Sequence, residues 1–215
     1  MKKTAILIGA TGLTGNELLN QLVIDNDFDR ITLFSRKALP LHHSKLTQHT
    51  IDFNNLKEYE TLIKGDVVFC CLGTTIKSAG SKEAFKKVDF TYPYEFAKIA
   101  KHNGVPTFCL QSSTGADENS SNFYLKTKGE TERAIELLKF QQFGAFRPSM
   151  LLGKREEFRL GEMIGKIIMK SLAFLFIGKL KRYKAIHVKQ VAKAMMNYTK
   201  LSTSGNRIIE NESML

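Results

Sequence analysis

The chain has 215 residues, which is the size of one domain or of one domain with a small appendage. Its hydrophobic share of 43% and charged share of 25% are those of an ordinary globular protein and exclude collagen-like, disordered and disulfide-rich classes. The three cysteines, Cys70, Cys71 and Cys109, show no CxxC spacing, and the adjacent pair would point to opposite faces of a strand. We therefore expect a reducing, cytoplasmic compartment and no metal site.

The positive charge is concentrated near the end of the chain. Lys and Arg number 32 against 21 Asp and Glu, a net charge of +11. Residues 163–200 contain no acidic residue and nine basic ones: Lys166, Lys170, Lys179, Lys181, Arg182, Lys184, Lys189, Lys193 and Lys200. We interpret them as solvated lysines over a helical core, with a phosphorylated substrate or a membrane surface as alternative reasons for the charge. We expect no nucleic-acid binding, because no aromatic stacking platform or helix-turn-helix signal accompanies the charge.

Short apolar runs alternate with segments rich in helix formers along the chain. The predicted strands are residues 4–8, 30–34, 48–51, 66–72, 106–111, 144–146 and 206–210. The predicted helices are residues 16–23, 56–63, 82–102 with a break near Pro93, 124–138, 161–177 and 188–198. This alternation predicts an α/β fold with a doubly wound parallel sheet that is covered on both faces.

The apolar segment 161–177 needs a separate interpretation. Lys166 and Lys170 lie one helical turn apart within it, and its uninterrupted apolar part is too short to span a bilayer. We therefore predict no integral membrane span. The segment is predicted to be a helix that caps a cleft, with a membrane-surface helix as the alternative.

The segment GATGLTG stands directly between the first strand and the first helix. Its glycines, Gly9, Gly12 and Gly15, permit a tight turn, a close approach of the backbone to a pyrophosphate, and close packing of the helix. The N-terminus of that helix offers free N–H groups and the positive end of its dipole to phosphates. The sequence therefore predicts a dinucleotide site at this turn.

The end of the second strand indicates which dinucleotide is bound. A carboxylate about 20 residues after the glycines commonly binds the 2′-hydroxyl of NAD, but this distance leads to Ser35, Arg36 and Lys37. Arg36 can form two hydrogen bonds to a 2′-phosphate, Ser35 can donate one more, and Lys37 adds positive charge. We therefore expect NADP(H) to be preferred over NAD(H).

Two other strand ends complete the predicted cofactor site. Asp52 and Phe53 follow the third strand, where the adenine amino group and ring face would lie. Leu72, Gly73 and Thr74 follow the fourth strand, and Gly73 would let the backbone run close under the ribose or the pyrophosphate. A core role for Phe53 and a simple turn at Gly73 are the alternatives.

Ser112 and Ser113 end the fifth strand, and Tyr124 and Lys128 follow on the next helix. Four residues are about one helical turn, so Tyr124 and Lys128 share a face, and an ammonium below a phenol favours the phenolate. A serine hydroxyl can hydrogen-bond a substrate carbonyl while Tyr124 transfers the proton and a nicotinamide carries the hydride.

These motifs together resemble the short-chain dehydrogenase/reductase superfamily in its atypical or extended branch. Over nearly the whole chain, the sequence resembles the Tat-interacting protein family of NADPH-binding oxidoreductases. The segments that carry this likeness are CCLGTT at residues 70–75, SS at 112–113 with GAD at 115–117, SSNFYL at 120–125, KGE at 128–130 and FRP at 146–148.

The resemblance implies a role for each part of the predicted site. The pyrophosphate would be bound by Gly9, Thr11, Gly12, Leu13 and Thr14, the 2′-phosphate by Arg36, and the ribose side by Leu72, Gly73 and Thr74. The catalytic residues would be Ser113, Tyr124 and Lys128, with Ser112 as the alternative serine and Lys128 also bonded to the nicotinamide ribose. Arg147 is interpreted as an anchor of the cleft.

Two functions follow from this reading. The first is an NADP-dependent oxidoreductase that acts on an unidentified small carbonyl or hydroxyl substrate. The second is an NADPH-binding regulatory or sensor protein with little or no turnover, and a protein partner or a homodimer is compatible with either. Residues 1–148 are expected to form the cofactor-binding core of a single domain, and residues 149–215 its substrate-side segment and lid.

Overall fold

The structure is a computed structural model that describes residues 2–153, 178–201 and 204–215. The strands are β1 (Lys3–Ile8), β2 (Phe28–Ser35), β3 (Leu46–Thr50), β4 (Val67–Cys70), β5 (Thr107–Gln111), β6 (Gln142–Arg147), β7 (Leu151–Leu152), β8 (Ile186–His187) and β9 (Gly205–Glu210). The α-helices are α1 (Leu13–Ile24), α2 (Ile76–Ala79), α3 (Lys82–Lys86), α4 (Tyr92–His102), α5 (Phe123–Glu136) and α6 (Val188–Tyr198). The predicted helix 161–177 lies outside the described residues.

Seven strands form one parallel sheet in the order β3-β2-β1-β4-β5-β6-β9. The chain moves outward from β1 to β3 and then crosses back to β4 on the other side of β1. The carboxyl ends of β1 and β4 therefore flank the point where the strand order reverses, which is where doubly wound sheets bind their ligands. The predicted fold class is confirmed.

Apolar side chains cover both faces of the sheet because successive residues of a strand point to opposite sides. Ala5 and Leu7 of β1 lie in a cluster with the apolar faces of α1 and α6. Ile6 and Ile8 lie in a second cluster with α4 and with Ile135 of α5. The near-continuous apolar strands are those of a sheet buried on both faces.

Two predicted helices differ in form from the structure. The segment predicted as a helix over 56–63 is a pair of 3₁₀ turns at Phe53–Leu62, with Asn55 outside helical geometry between them. The segment 82–102 stays helical at Pro93, since proline is tolerated in the first turn of α4. Its irregularity is a π-helical turn at Lys87–Thr91, between α3 and α4.

The elements after Pro148 are partly built into the sheet domain. Helix α6 packs in the same apolar cluster as α1, and β9 pairs with β6 at the edge of the main sheet. Strands β7 and β8 form a small parallel pair of their own. These elements add to the core that the sequence assigned to residues 1–148.

The described part of the basic segment is mostly a solvated surface. Lys181, Lys189 and Lys193 are exposed, whereas Lys200 forms ion pairs with Asp25 at 3.2 Å and Asp27 at 2.6 Å. Within residues 2–153, 178–201 and 204–215, no helix is long and apolar enough to cross a membrane. The same residues contain no cluster of His, Cys, Asp and Glu side chains that could hold a metal ion.

Candidate functional site

The glycine turn between β1 and α1 is closed on one side and open on the other. Gly9 has φ +86°, and a Cβ there would lie 2.4 Å from the carbonyl carbon of Cys71. A Cβ at Gly15 would lie 2.2 Å from the carbonyl oxygen of Gly9. At Gly12, by contrast, the nearest atoms to a Cβ are the Gly9 oxygen at 3.3 Å and the Cys71 oxygen at 3.9 Å. Gly9 and Gly15 thus allow the backbone to pack, and Gly12 forms the exposed surface of the turn.

The first turn of α1 suits a phosphate group. Gly12 is the N-cap residue, so no side chain satisfies the free N–H groups that begin a helix, and the first turn contains no acidic residue. Thr11 is exposed and Leu13 half-buried, and the buried hydroxyl of Thr14 has no hydrogen-bond partner among the described residues. Backbone N–H groups, a helix dipole and an unpaired hydroxyl are a fitting donor set for a pyrophosphate.

The predicted adenosine side lies at the carboxyl ends of β2 and β3. Arg36 and Lys37 are exposed, while the buried Ser35 hydroxyl donates to the backbone oxygen of Lys37 at 2.6 Å. Ser35 therefore uses its proton to hold this turn, and the turn presents two cations. Asp52 accepts from the backbone N–H of Asn54 at 2.9 Å and begins the 3₁₀ segment.

Phe53 is 6% exposed and belongs to the core. Its ring packs against Tyr92 with the ring centres 5.3 Å apart. Of the two residues predicted to face the adenine, Asp52 is thus at the surface and Phe53 has the core role that was the alternative.

The proposed catalytic pair lies at the start of α5. Asn122 caps this helix by accepting a hydrogen bond from the N–H of Leu125 at 3.1 Å. Tyr124 is half-buried in the first turn, where its ring packs on that of Phe85 with centres 5.6 Å apart. Lys128 lies one turn further on, and its side chain is only 7% exposed.

A buried carboxylate that sequence reasoning missed holds Lys128. The Lys128 Nζ lies 2.7 Å from Oδ1 of Asp89, whose side chain is fully buried. Burial acts to lower the pKa of Lys128, but the charge and hydrogen bond of Asp89, together with Tyr124 and Cys70, hold that pKa above its usual range. Lys128 is therefore an ammonium throughout the neutral range.

The signal for Asp89 was present in the sequence. Asp89 stands four residues after Phe85 and seven before Phe96, so one apolar face of the predicted helix 82–102 carries a single acidic residue among phenylalanines. Buried charges are almost always paired, and Lys128 is a cation of the same predicted site.

Gly73 lies directly beside this ion pair. A Cβ at Gly73 would stand 3.5 Å from Asp89 Oδ1 and 3.6 Å from Lys128 Nζ, and the residue itself is exposed. The next residue, Thr74, donates its backbone N–H to Asp89 Oδ2 at 2.9 Å. Leu72 is half-buried. The structure thus brings the turn after β4 together with Lys128, as the prediction of a shared ribose side requires.

The two serines after β5 differ in exposure. Ser112 is 5% exposed, its N–H donates to the Phe146 oxygen at 2.6 Å, and its hydroxyl has no hydrogen-bond partner among the described residues. Ser113 is half-buried, and its carbonyl accepts the N–H of Ala116 at 3.0 Å. The loop then packs on the start of α5, where Asp117 N–H donates to the Leu125 oxygen at 3.2 Å.

Arg147, at the end of β6, is part of an ion-pair network. Its Nε and Nη2 lie 3.0 and 2.6 Å from the two carboxylate oxygens of Glu132, and its Nη1 lies 3.0 Å from Glu210. Arg147 therefore joins α5 to the end of β9. This is the structural role that the sequence suggested.

The fold and the site define a Rossmann-type protein that binds a nicotinamide dinucleotide. A family model described as NAD(P)H-binding matches residues 9–151, and the chain belongs to that family. The protein HTATIP2 of Rattus norvegicus is 38% identical over 218 residues, which cover 99% of this chain and 88% of the relative. The mitochondrial protein FMP52 of Debaryomyces hansenii is 34% identical over 86% of this chain and 87% of its own length.

Solved structures show the same fold at low sequence identity. The UDP-N-acetylglucosamine 4-epimerase of Methanobrevibacter ruminantium superposes with a TM-score of 0.73 at 18% identity, over 98% of this chain and 77% of that chain. MoeE5, solved in complex with UDP-glucose and NAD, gives a TM-score of 0.73 at 16% identity, over 95% and 74%. These structures share the predicted doubly wound fold, and the expected resemblance at family level is confirmed by the NAD(P)H-binding family model and the HTATIP2 relative.

Proposed function

We propose that the protein is an NADP-dependent oxidoreductase that reduces or oxidises a small carbonyl or hydroxyl substrate. The observation that carries the proposal is the buried Lys128 ammonium, held beneath Gly73 and one helical turn from Tyr124. Burying a charge is costly unless it is paired, and a purely structural helix gains nothing from placing it at the carboxyl edge of the sheet. Perturbed titratable groups in such places mark functional sites.

Each residue has a separable task in this reaction. The bound nicotinamide supplies or accepts the hydride. Tyr124 gives its phenolic proton to the substrate oxygen during reduction, while Ser113 donates a hydrogen bond to that oxygen. Lys128 binds the ribose hydroxyls and stabilises the phenolate that Tyr124 leaves behind. The N–H groups at the start of α1 would bind the pyrophosphate and so hold the cofactor at the carboxyl ends of the strands.

The preference for NADP(H) over NAD(H) is supported by charge at the end of β2. Arg36 and Lys37 are both exposed there, and no acidic residue occupies the position that would bind a 2′-hydroxyl. Loss of a charge-assisted contact to the 2′-phosphate costs about 1.5 to 3 kcal/mol, or roughly tenfold or more in affinity. Titration should show that gap between NADPH and NADH, and Arg36→Ala should erase it. A gap that persists would assign the 2′-phosphate to another residue.

The test of the activity is a turnover screen read as NADPH oxidation. Aldehydes and ketones form the first panel. Nucleotide sugars form the second, because two solved structures of this fold are complexes with UDP-N-acetylmuramic acid and with UDP-glucose. Tyr124→Phe should remove turnover and leave NADPH affinity nearly intact, because the phenol acts on the reacting oxygen. Ser113→Ala should cost more turnover than Ser112→Ala, and the reverse order would assign the role to Ser112.

The sensor function would be established instead by two results together. The wild type would bind NADPH tightly without turnover on either panel, and Tyr124→Phe would change only the binding of a partner. The small-molecule substrate is part of the proposal, and a protein partner or homodimer stays a prediction. A cytoplasmic location also stays a prediction. The FMP52 relatives are mitochondrial proteins and do not support it.

A further inference from the structure

Asp89 contacts two elements beside the proposed nicotinamide side of the site, helix α5 and the turn after β4. Its Oδ1 contacts Lys128 on α5 at 2.7 Å, and its Oδ2 accepts the N–H of Thr74 in the turn after β4 at 2.9 Å. Its backbone oxygen accepts the hydroxyl of Thr131, also on α5, at 2.9 Å. Asp89 itself lies in the π-helical turn Lys87–Thr91, and such turns often occur at functional sites. One carboxylate thus ties the turn after β4 to the lysine of α5.

An ion pair at this depth is a poor way to gain stability. Taking two charges out of water costs about as much as their attraction returns, and well-packed apolar residues of the same volume are often as stable or more so. The pair therefore needs another reason. Lys128 lies next to the exposed Gly73, so its ammonium is one layer beneath the surface that a ribose would contact. An ammonium has three N–H donors, and its ion pair with Oδ1 of Asp89 at 2.7 Å is a single contact, so a further donor can bind a ligand.

We propose that Asp89 is a positioning residue: its carboxylate fixes the Lys128 ammonium against the turn at Gly73 and Thr74, so that Lys128 reaches the ribose next to the nicotinamide. The proposal rests on the proposed dinucleotide function of the site. A free lysine side chain has many rotamers, and restricting them before binding saves the entropy that the cofactor would otherwise have to offset. Asp89 acts through Lys128 and touches no substrate.

The charge of Asp89 also keeps Lys128 protonated. The groups that face the ammonium are Asp89 from the π-helical turn, Tyr124 from its own helix and Cys70 from β4. Burial pulls the pKa of Lys128 down, and Asp89 is the strongest group that pulls it up. Without the Asp89 charge, the pKa of Lys128 falls, and the ammonium is lost as the pH rises. Cofactor binding would then weaken in alkaline solution.

The test is a fluorescence titration of NADPH at several pH values from neutral to alkaline. It compares the wild type with Asp89→Asn, Lys128→Met and the double variant. Asparagine keeps the shape of Asp89 and an acceptor for the Thr74 N–H, but removes the charge. Asp89→Asn should weaken NADPH about tenfold at neutral pH, the loss of one charge-assisted contact, and further as the pH rises. The wild type should show no such slope.

The double variant separates positioning from an independent role. If Asp89 acts only through Lys128, the double variant binds NADPH no more weakly than Lys128→Met. If the double variant is weaker by the product of the two single effects, Asp89 acts on its own and the proposal is wrong. The double variant leaves neither charge buried alone, so it is the variant expected to fold even where Asp89→Asn does not. An NADPH affinity of the double variant below that of Lys128→Met would then overturn the proposal.

The remaining outcomes are also decisive. A merely structural Asp89 would lower the melting temperature of Asp89→Asn without changing its NADPH affinity or pH slope, and that result would overturn the proposal. If the wild type and Asp89→Asn bind NADPH equally well, the positioning role of Asp89 is wrong and the proposed function is unaffected. A wild type that does not bind NADPH overturns the proposed function, and this inference with it.

Discussion

Replacing Arg147 tests whether the residue at the end of β6 supports the fold or serves the reaction. Its guanidinium forms a two-point contact with Glu132, at 3.0 and 2.6 Å, and the two side chains are 16% and 8% exposed. Arg147→Met fills similar space but leaves the Glu132 carboxylate buried without this partner. Breaking a buried pair from one side costs about 3 to 5 kcal/mol.

This loss converts into a measurable change in melting temperature. For a chain of this length, each kcal/mol lowers the midpoint by about 2–4 °C. The lower limit of about 3 kcal/mol therefore predicts a drop of roughly 6–12 °C in thermal unfolding followed by circular dichroism. NADPH affinity, measured well below the midpoint, should not change, because Arg147 is occupied by Glu132 and Glu210.

The matched control is the double variant Arg147→Met with Glu132→Leu. It removes both charges of the pair and should recover most of the lost stability, since apolar replacements of a buried pair are often neutral. The structural assignment fails if Arg147→Met melts with the wild type. It fails equally if that variant keeps its stability and loses NADPH binding or turnover, which would place Arg147 in the cleft as a binding residue.

The glycine turn and the cysteines give two further predictions. Gly12→Ala should fold with nearly wild-type stability and lose NADPH affinity. Gly15→Ala should unfold, because its Cβ would stand 2.2 Å from a carbonyl oxygen. Equal stabilities of the two variants would refute the different roles assigned to these glycines. Burial raises the pKa of Cys70 to about 12 and those of Cys71 and Cys109 above their usual range. All three are thus protonated thiols at pH 8, so a thiol reagent should modify them only after denaturation, and rapid labelling of the folded protein would contradict that.

The sheet could be predicted from the sequence because strands buried on both faces leave an unambiguous signal. β4 consists of Val67, Val68, Phe69 and Cys70, and such a run has few other interpretations. The glycine turn was equally clear. A Cβ atom at Gly9 or Gly15 would lie too close to neighbouring backbone atoms, so each position requires glycine. Local patterns of this kind need no knowledge of distant residues.

The parts that escaped prediction depend on contacts distant in sequence or on small differences in backbone energy. The pairing of Asp89 with Lys128 joins residues 39 positions apart, and no local pattern identifies the partner of a buried charge. The 3₁₀ segment Phe53–Leu62 has the apolar spacing of an α-helix, and the two forms differ too little in pattern to be separated. The position of α6 against α1 was likewise invisible in its own sequence, which shows an apolar face but not what that face packs against.

The central claim is that a nicotinamide dinucleotide lies across the carboxyl ends of the strands, with its reacting end beside Tyr124 and Lys128. A crystal structure of the protein soaked with NADP⁺ tests it most directly. We predict the pyrophosphate at the N–H groups that begin α1, the 2′-phosphate at Arg36, and the nicotinamide-side ribose within hydrogen-bond distance of Lys128. A cofactor bound elsewhere, or bound with its nicotinamide end away from Tyr124 and Lys128, would contradict the account.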